Sequence, residues 1–314
     1  MAAKKCSDED FSLSFKLNGA TATAKKYGMT ERAVYRRRAN MARYEAITAP
    51  TKSAINVPGR MALELKNGTA LIGSDFHIWP GKPSTCLRAF KKFVADIKPN
   101  AIILNGDVLD LPRVSRHPAL NWEKAPDPQE EVEAAQDHLN DIEQVCKRGT
   151  HKIWTLGNHD ARWEMTFANM LPQMRGVKGL HLHDHFPIWQ RAMSCFINEG
   201  IEGGATMVKH RWKGGMNATR ANTLNAGVSM VTGHLHSQNV RPLSDYRRHD
   251  RYGVDTGCVA DKEHRAFTYT EDAALDWRSG FALLTYKDGV LMPPELITKM
   301  SENTVWFRGS LIKC

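Results

Sequence analysis

From Thr69 onward the chain repeats one plan: a short apolar run, a sharp turn, then a cluster of carboxylate, imidazole or amide side chains. The runs at 69–73 and 101–104 are too short for helices and have the length of buried strands. Between them Cys86, Phe90, Phe93, Val94 and Ile97 recur at helical spacing. A second helical pattern over about 129–146 leads into the apolar run 152–156, and further runs follow at 205–208 and 228–231. Strands alternating with amphipathic helices predict an α/β domain built from βαβαβ units. From 238 to 292 helix signals are weak, and the alternation predicts an antiparallel part of the sheet.

With 314 residues, 42% hydrophobic and 25% charged, the chain can bury one large core beside a small appendage. Its longest apolar runs are far below the ~18 residues of a membrane span, so no membrane partner is expected. The acidic turn at Asp8, Glu9 and Asp10 stands where a secretory leader would be apolar, which predicts a cytoplasmic protein. The six cysteines stand singly, without paired spacing, and read as reduced thiols. Charge is uneven: residues 1–60 hold twelve bases against five acids, +7 of a total of +9. A basic module beside a near-neutral body points to nucleic acid, here DNA, as partner.

Within residues 1–46, Phe11, Leu13, Phe15 and Leu17 begin an apolar segment that runs to Asn18 and Gly19. Residues 20–27 suit a short helix, Gly28 a tight turn, and Thr30 the N-cap of a second helix ending near Arg43. The segment resembles a helix-turn-helix, with Ala24 at the helix crossing and Val34 buried. Arg37 stands where such modules commonly have an apolar residue, so packing would rest on Ala33, Val34 and Met41. Placed in a major groove, the second helix would bring Thr30, Glu31, Arg32, Tyr35, Arg36 and Arg37 toward bases or phosphates. Such modules often work in pairs, so a homodimer is among the expectations. Residues 47–68, with two prolines, two glycines and no periodicity, read as a linker, leaving 69–314 as the main domain.

Each polar block follows an apolar run. Asp75 and His77 lie at i and i+2, where a strand's two-residue period would aim both to one side. Asp107 and Asp110 follow Asn105 and Gly106; Asn158, His159 and Asp160 follow Gly157; His210 follows Lys209; His234 and His236 follow Gly233. Carboxylates, imidazoles and an amide without a thiolate suit a catalytic site for Mn2+, Fe, Zn or Mg rather than a structural zinc cage. With at least seven such side chains, two metals are expected, and a pair ~3.5–4 Å apart would bind a phosphate and activate a shared water.

These blocks, Asp75-Phe76-His77, Gly106-Asp107-Val108-Leu109-Asp110, Gly157-Asn158-His159-Asp160, His210 and Gly233-His234-Leu235-His236, resemble in order those of the calcineurin-like metallophosphoesterases. The resemblance covers about residues 69–292 and implies a β-sandwich flanked by helices. It implies one divalent ion, Mn2+ first among the alternatives, on Asp75, His77, Asp107 and His236, and a second on Asp107, Asn158, His210 and His234, with Asp107 bridging. His159 would face the substrate phosphate with Asp160 orienting its ring, and Asp110 would stand behind the ligands. Asp110-Leu111-Pro112 and Asp160 depart from the Asp-Arg-Gly and Glu of protein phosphatases, which lowers that substrate class. Lys209-His210-Arg211 departs from the usual His-Gly. Residues 115–117 and 276–281 look like those of bacteriophage-encoded members, which implies action in the host cytoplasm.

The expected activity is therefore hydrolysis of phosphoesters, with DNA diesters as the substrate if the basic module delivers them. A phosphomonoesterase or nucleotide phosphodiesterase, with the module serving only for localisation, is the rival; a non-catalytic DNA-binding regulator is a third. Arg162 is placed to touch a substrate phosphate or to form a salt bridge, and Arg116 and His117 to reach the site from a loop. His138, His151, His249 and His264 read as surface or core residues. The run from His181 to His185 reads as a solvated strand face, with metal binding as its alternative.

Overall fold

The computed structural model describes residues 6–48, 59–115, 124–174, 177–270, 273 and 275–314, and the chain divides into two compact units, Met1–Asn56 and Val57–Cys314. No helix among the described residues is long and apolar enough to cross a membrane.

The first unit holds α1 (Asp8–Tyr27) and α2 (Glu31–Thr48). Ser7 caps α1 by accepting from Asp10 N at 3.0 Å, and three acids occupy the first turn, where the helix dipole favours them. The apolar segment that begins at Phe11 is itself helical, so α1 starts about twelve residues earlier than periodicity suggested; the helix is interrupted only at Gly19 (φ 76°). Gly28 (φ 65°) closes α1, and Thr30 Oγ1 accepts from Ala33 N at 3.2 Å at the start of α2. Phe11, Ala24, Tyr27 and Val34 form the core. Arg37 does not join the outward-facing bases: its guanidinium lies 4.5 Å from the Phe11 ring and binds Asp8 at 2.5 Å and the Cys6 carbonyl at 2.9 Å. It covers the aromatic core where an apolar side chain was missing. Arg32, Tyr35, Arg36 and Arg38 are exposed.

The second unit begins with β1 (Met61–Leu63), β2 (Gly68–Gly73), α3 (Thr85–Ile97), β3 (Ala101–Leu104), α4 (Pro128–Val145), β4 (His151–Thr155), α5 (Asp160–Met170) and α6 (Leu182–His185). It continues through β5 (Gln190–Ala192), β6 (Cys195–Ile197), β7 (Thr206–Val208), α7 (Ala218–Ala226), β8 (Ser229–Thr232), β9 (Asn239–Leu243) and β10 (Arg251–Asp255). The last strands are β11 (Gly280–Lys287), β12 (Val290–Leu291), β13 (Glu295–Ser301), β14 (Thr304–Phe307) and β15 (Ser310–Lys313). One sheet has the order β1-β6-β7-β8-β10-β9 and the other β15-β14-β13-β11-β2-β3-β4-β5, with β12 paired to β11.

Alternation along the strands builds two cores. Ala70 and Ile72, Ala101 and Ile103, and Ala282 and Leu284 meet Ile197, Val208, Val231 and Val254 of the facing sheet. Leu71, Ile102, Leu104, Phe281 and Leu283 point the other way, against Phe90, Phe93, Leu139 and Ile142 of α3 and α4. Strands buried on both faces carry unbroken apolar runs, and that is why these runs stood out in the sequence. The result is a β-sandwich flanked by helices. Antiparallel pairing is present in the 238–292 region, between β9 and β10 and between β11 and β2, although β10 pairs with β8 in parallel.

The expected linker 47–68 is not a linker throughout. Met61–Leu63 pairs in parallel with Cys195–Ile197, and Leu65 N donates to Asn198 Oδ1 at 2.7 Å. A three-residue strand has too few positions to show periodicity, and the strand it pairs with lies far along the chain. β2, β3 and β4 run parallel, so their carboxyl ends open on the same edge, as do those of the parallel pair β7 and β8.

Candidate metal centre

The loops after β2 and β3 are tied together by backbone hydrogen bonds: Asp75 N to Gly106 O at 2.9 Å, His77 N to Asp107 O at 3.0 Å and Ile78 N to Val108 O at 3.0 Å. Phe76, Val108 and Leu109 anchor this junction in the core on the helix side. Asp75, His77, Asp107, His234 and His236 all have positive φ, from 40° to 70°. Strand alternation is therefore not what brings Asp75 and His77 together; the strand ends at Gly73, and a left-handed backbone turns both inward. Asp and His enter this region more readily than most residues, yet a cost of order 1 kcal/mol each remains, offset by the surrounding bonds. Two motif glycines are set by close approach. A Cβ on Gly157 would overlap Asp107 Oδ1, and one on Gly106 (φ 84°) would overlap the His210 ring.

Ligand atoms of Asp75, His77 and His236 lie within 4.8 Å of one another, as do those of Asp107, His210 and His234. The sets adjoin: His210 Nε2 is 3.0 Å from Asp107 Oδ2 and 3.9 Å from Asp75 Oδ1. His210, despite its unusual flanks, is fixed by its Nδ1, which donates to Asn105 O at 2.7 Å and leaves Nε2 facing the carboxylates. His77 behaves alike, its Nδ1 3.2 Å from Asp110 Oδ1. His77 Nε2 and Asn158 Oδ1 are buried without a hydrogen-bond partner, whereas His210 Nε2 is held by Asp107. Burial opposes ionisation of Asp75 and Asp107, but the imidazoles outweigh it: His236 and then His210 hold Asp75 below the usual carboxylate range, and His210 does the same for Asp107. In return, and against its own burial, His210 is raised to about 10 by Asp107 and Asp75.

Asp110 and Asp160 exchange the roles the sequence suggested. Asp110 Oδ1 receives His159 Nδ1 at 2.7 Å, so Asp110 orients that ring; His77, Asp110 and His159 also form a compact group. Asp160 is turned away from the ring. Its carboxylate accepts from Asp107 N at 2.8 Å, Val108 N at 2.9 Å, Leu109 N at 3.2 Å, Gly157 N at 2.9 Å and Trp154 Nε1 at 3.0 Å. As the first residue of α5 it points back across the turn and pins the Asp107 loop. Arg162 donates to Asp110 O at 2.7 Å and lies 3.2 Å from His159 Nε2. Burial lowers the His159 pKa, but Asp110 and Asp107 outweigh it and the net shift is upward.

One feature had no sequence signal, and a second was marked in the sequence only as part of the segment 276–281. Glu131, buried in the first turn of α4, accepts from Asp110 N at 3.0 Å and Leu111 N at 2.9 Å. Trp277 packs 4.2 Å from the His236 ring. In the run from His181 to His185 the reading as a strand face is corrected: residues 182–185 are a helical turn, His181 binds Glu164 at 2.9 Å and His185 binds Gly179 O at 2.8 Å. Arg116 and His117 lie outside the described residues. All six cysteines are free thiols.

The calcineurin-like phosphoesterase family matches residues 69–251. The Gene 54 proteins of the Mycobacterium phages D29 and L5 are 26% and 27% identical over 239 and 240 residues, covering 67% of this chain and 86% of each relative. Among solved structures, wild-type Vps29 complexed with Zn2+ from Entamoeba histolytica aligns over 78% of this chain and 98% of its own, at 14% identity and a TM-score of 0.41. The family match spans the strands and loops that deliver the Asp/His cluster up to β10, and the chain belongs to the calcineurin-like phosphoesterases.

Proposed function

We propose that this chain hydrolyses the phosphodiesters of DNA at the Asp/His centre, with residues 1–46 holding the nucleic acid. The observation that carries hydrolysis is the convergence of two adjoining carboxylate–imidazole sets, together with His77 Nε2 and Asn158 Oδ1, which are buried without hydrogen bonds. Leaving such atoms unpaired costs ~1–3 kcal/mol each, and a cation removes that cost. The all-oxygen-and-imidazole donor set fits Mn2+, with Fe, Zn or Mg as alternatives. Asp75, His77 and His236 would hold one ion and Asp107, His210 and His234 a second, with Asn158 as a further ligand and Asp107 shared. Bound divalent ions neutralise a phosphoester's charge and lower the pKa of water.

The chain's own groups supply the rest. His159, held by Asp110 through Nδ1, has its Nε2 3.9 Å from Asp107 Oδ2, and its raised pKa suits it to carry a proton to the leaving oxygen. Arg162 beside that nitrogen can pair with a phosphate oxygen. Asp160 keeps the Asp107 loop in place. DNA as substrate is supported by the exposed Arg32, Tyr35 and Arg36 on α2 and by the concentration of charge in residues 1–60. The mycobacteriophage relatives support action in the host cytoplasm.

The test is hydrolysis by metal-stripped protein, re-supplied with Mn2+, of a mono-aryl phosphate, a bis-aryl phosphate and linear single- and double-stranded DNA in parallel. Cleavage of the diester and of DNA is expected, and cleavage of the monoester alone refutes the nuclease. Deleting residues 1–56 should weaken DNA binding and flatten its salt dependence while sparing the aryl ester; unchanged DNA affinity refutes the role given to α2.

A further inference from the structure

We infer that the groove bordered by Trp277 is a nucleoside subsite, where the base next to the scissile phosphate stacks on the indole; this rests on the phosphoesterase reading above. One indole connects two places. On one side its ring lies 4.2 Å from His236 and 5.0 Å from Phe267, which in turn lies 5.0 Å from His77. On the other it lines a groove of about 960 Å3, ample for a drug-sized ligand. The segment does not swing freely: Arg278 N donates to His236 O at 2.8 Å and Cys258 N to Arg278 O at 3.1 Å. Trp277 is thus a partly exposed aromatic platform tied by its neighbour to a metal-type histidine.

The charge of the groove selects what can lie there. Lys299 is bound to Asp261 at 2.7 Å and to Glu263 at 3.3 Å, and Lys82 is bound to Glu302. Lys262 lies 4.0 Å from Glu263 and Arg278 3.6 Å from Asp276, so each lysine and arginine lining the groove stands beside a carboxylate and its positive charge is balanced rather than concentrated for a second phosphate. An aromatic flank beside balanced polar groups suits a flat, uncharged, hydrogen-bonding ligand, which is the description of a nucleobase on its sugar. The phosphate would then lie at the Asp/His centre and the nucleoside across Trp277.

Thymidine 5′-(4-nitrophenyl phosphate) and methyl 4-nitrophenyl phosphate share a leaving group and differ in the nucleoside. The wild-type protein is expected to favour the thymidine ester in kcat/KM, Trp277→Ala to shrink that ratio about tenfold, and Trp277→Phe, which keeps a ring, to retain most of it. Saturation-transfer NMR of thymidine with the metal-free protein should show contacts to the base protons that Trp277→Ala abolishes. A ratio near one in the wild type, or unaltered by Trp277→Ala, overturns the subsite and leaves the phosphoesterase reading standing. If neither ester is cleaved with any of the four metals, that reading fails instead, and the NMR contacts decide the groove: their loss on Trp277→Ala supports the subsite, their absence in the wild type overturns it.

Discussion

Replacing Asp160 by Ala removes the acceptor for five N–H groups: the backbones of Asp107, Val108, Leu109 and Gly157 and the Trp154 indole. Asp160 and Trp154 are fully buried, so water does not substitute. An unpaired buried donor costs ~1–3 kcal/mol, and relaxation of the loop recovers part of the sum, which leaves a loss of about 4 kcal/mol. At ~2–4 °C per kcal/mol for a domain of this size, the melting temperature should fall by roughly 10 °C. Asp160→Asn should cost about half as much, because one amide oxygen remains while the NH2 group meets N–H donors. The assay is thermal unfolding of the metal-stripped protein by circular dichroism, which keeps ion binding from masking the change. A fall below about 2 °C for Asp160→Ala would refute the anchoring role. A shifted pH profile in Asp160→Asn with stability unchanged would return Asp160 to its sequence-inferred place behind His159.

Three further outcomes follow from the same contacts. His159→Ala should leave Mn2+ binding by calorimetry intact and depress turnover ~10²–10⁴-fold, and full activity would exclude it from proton transfer. His159 is protonated below its raised folded pKa and loses that proton as pH rises through it; Asp110→Asn withdraws the main raising partner, so the alkaline limb of kcat should move to lower pH. Glu131 is raised by burial from 4.5 to about 8, so between those values the folded protein holds a proton that the unfolded chain has lost. Stability should therefore decline as pH rises across that window, and Glu131→Gln should flatten the decline in a series of thermal melts; parallel curves would show that Glu131 ionises normally.

The fold was legible where residues act locally. Strands β2, β3, β4, β7 and β8 are sandwiched between layers, so each is an apolar run that ends where the core ends. The polar blocks had to follow those ends, and the Asp/His cluster forms from them. The segment from Phe11 hid its helix because alternating Phe and Leu imitate a strand, while the capping Ser7 and the acidic first turn decided for a helix. β1 and β6 are three residues each, and neither has a period to read.

What the sequence determined by itself is which side chains are chemically able to meet: carboxylates, imidazoles and Asn158, each placed one turn beyond a strand, because strand length and turn chemistry are local properties. What only the tertiary structure decided is which of them touch. Asp110 and not Asp160 faces His159, Arg37 covers Phe11 instead of facing outward, and Trp277 lies against His236 from a distant loop. Those choices depend on strand order and on the left-handed turns that aim each loop, and both are fixed by packing across the sandwich rather than by neighbours along the chain.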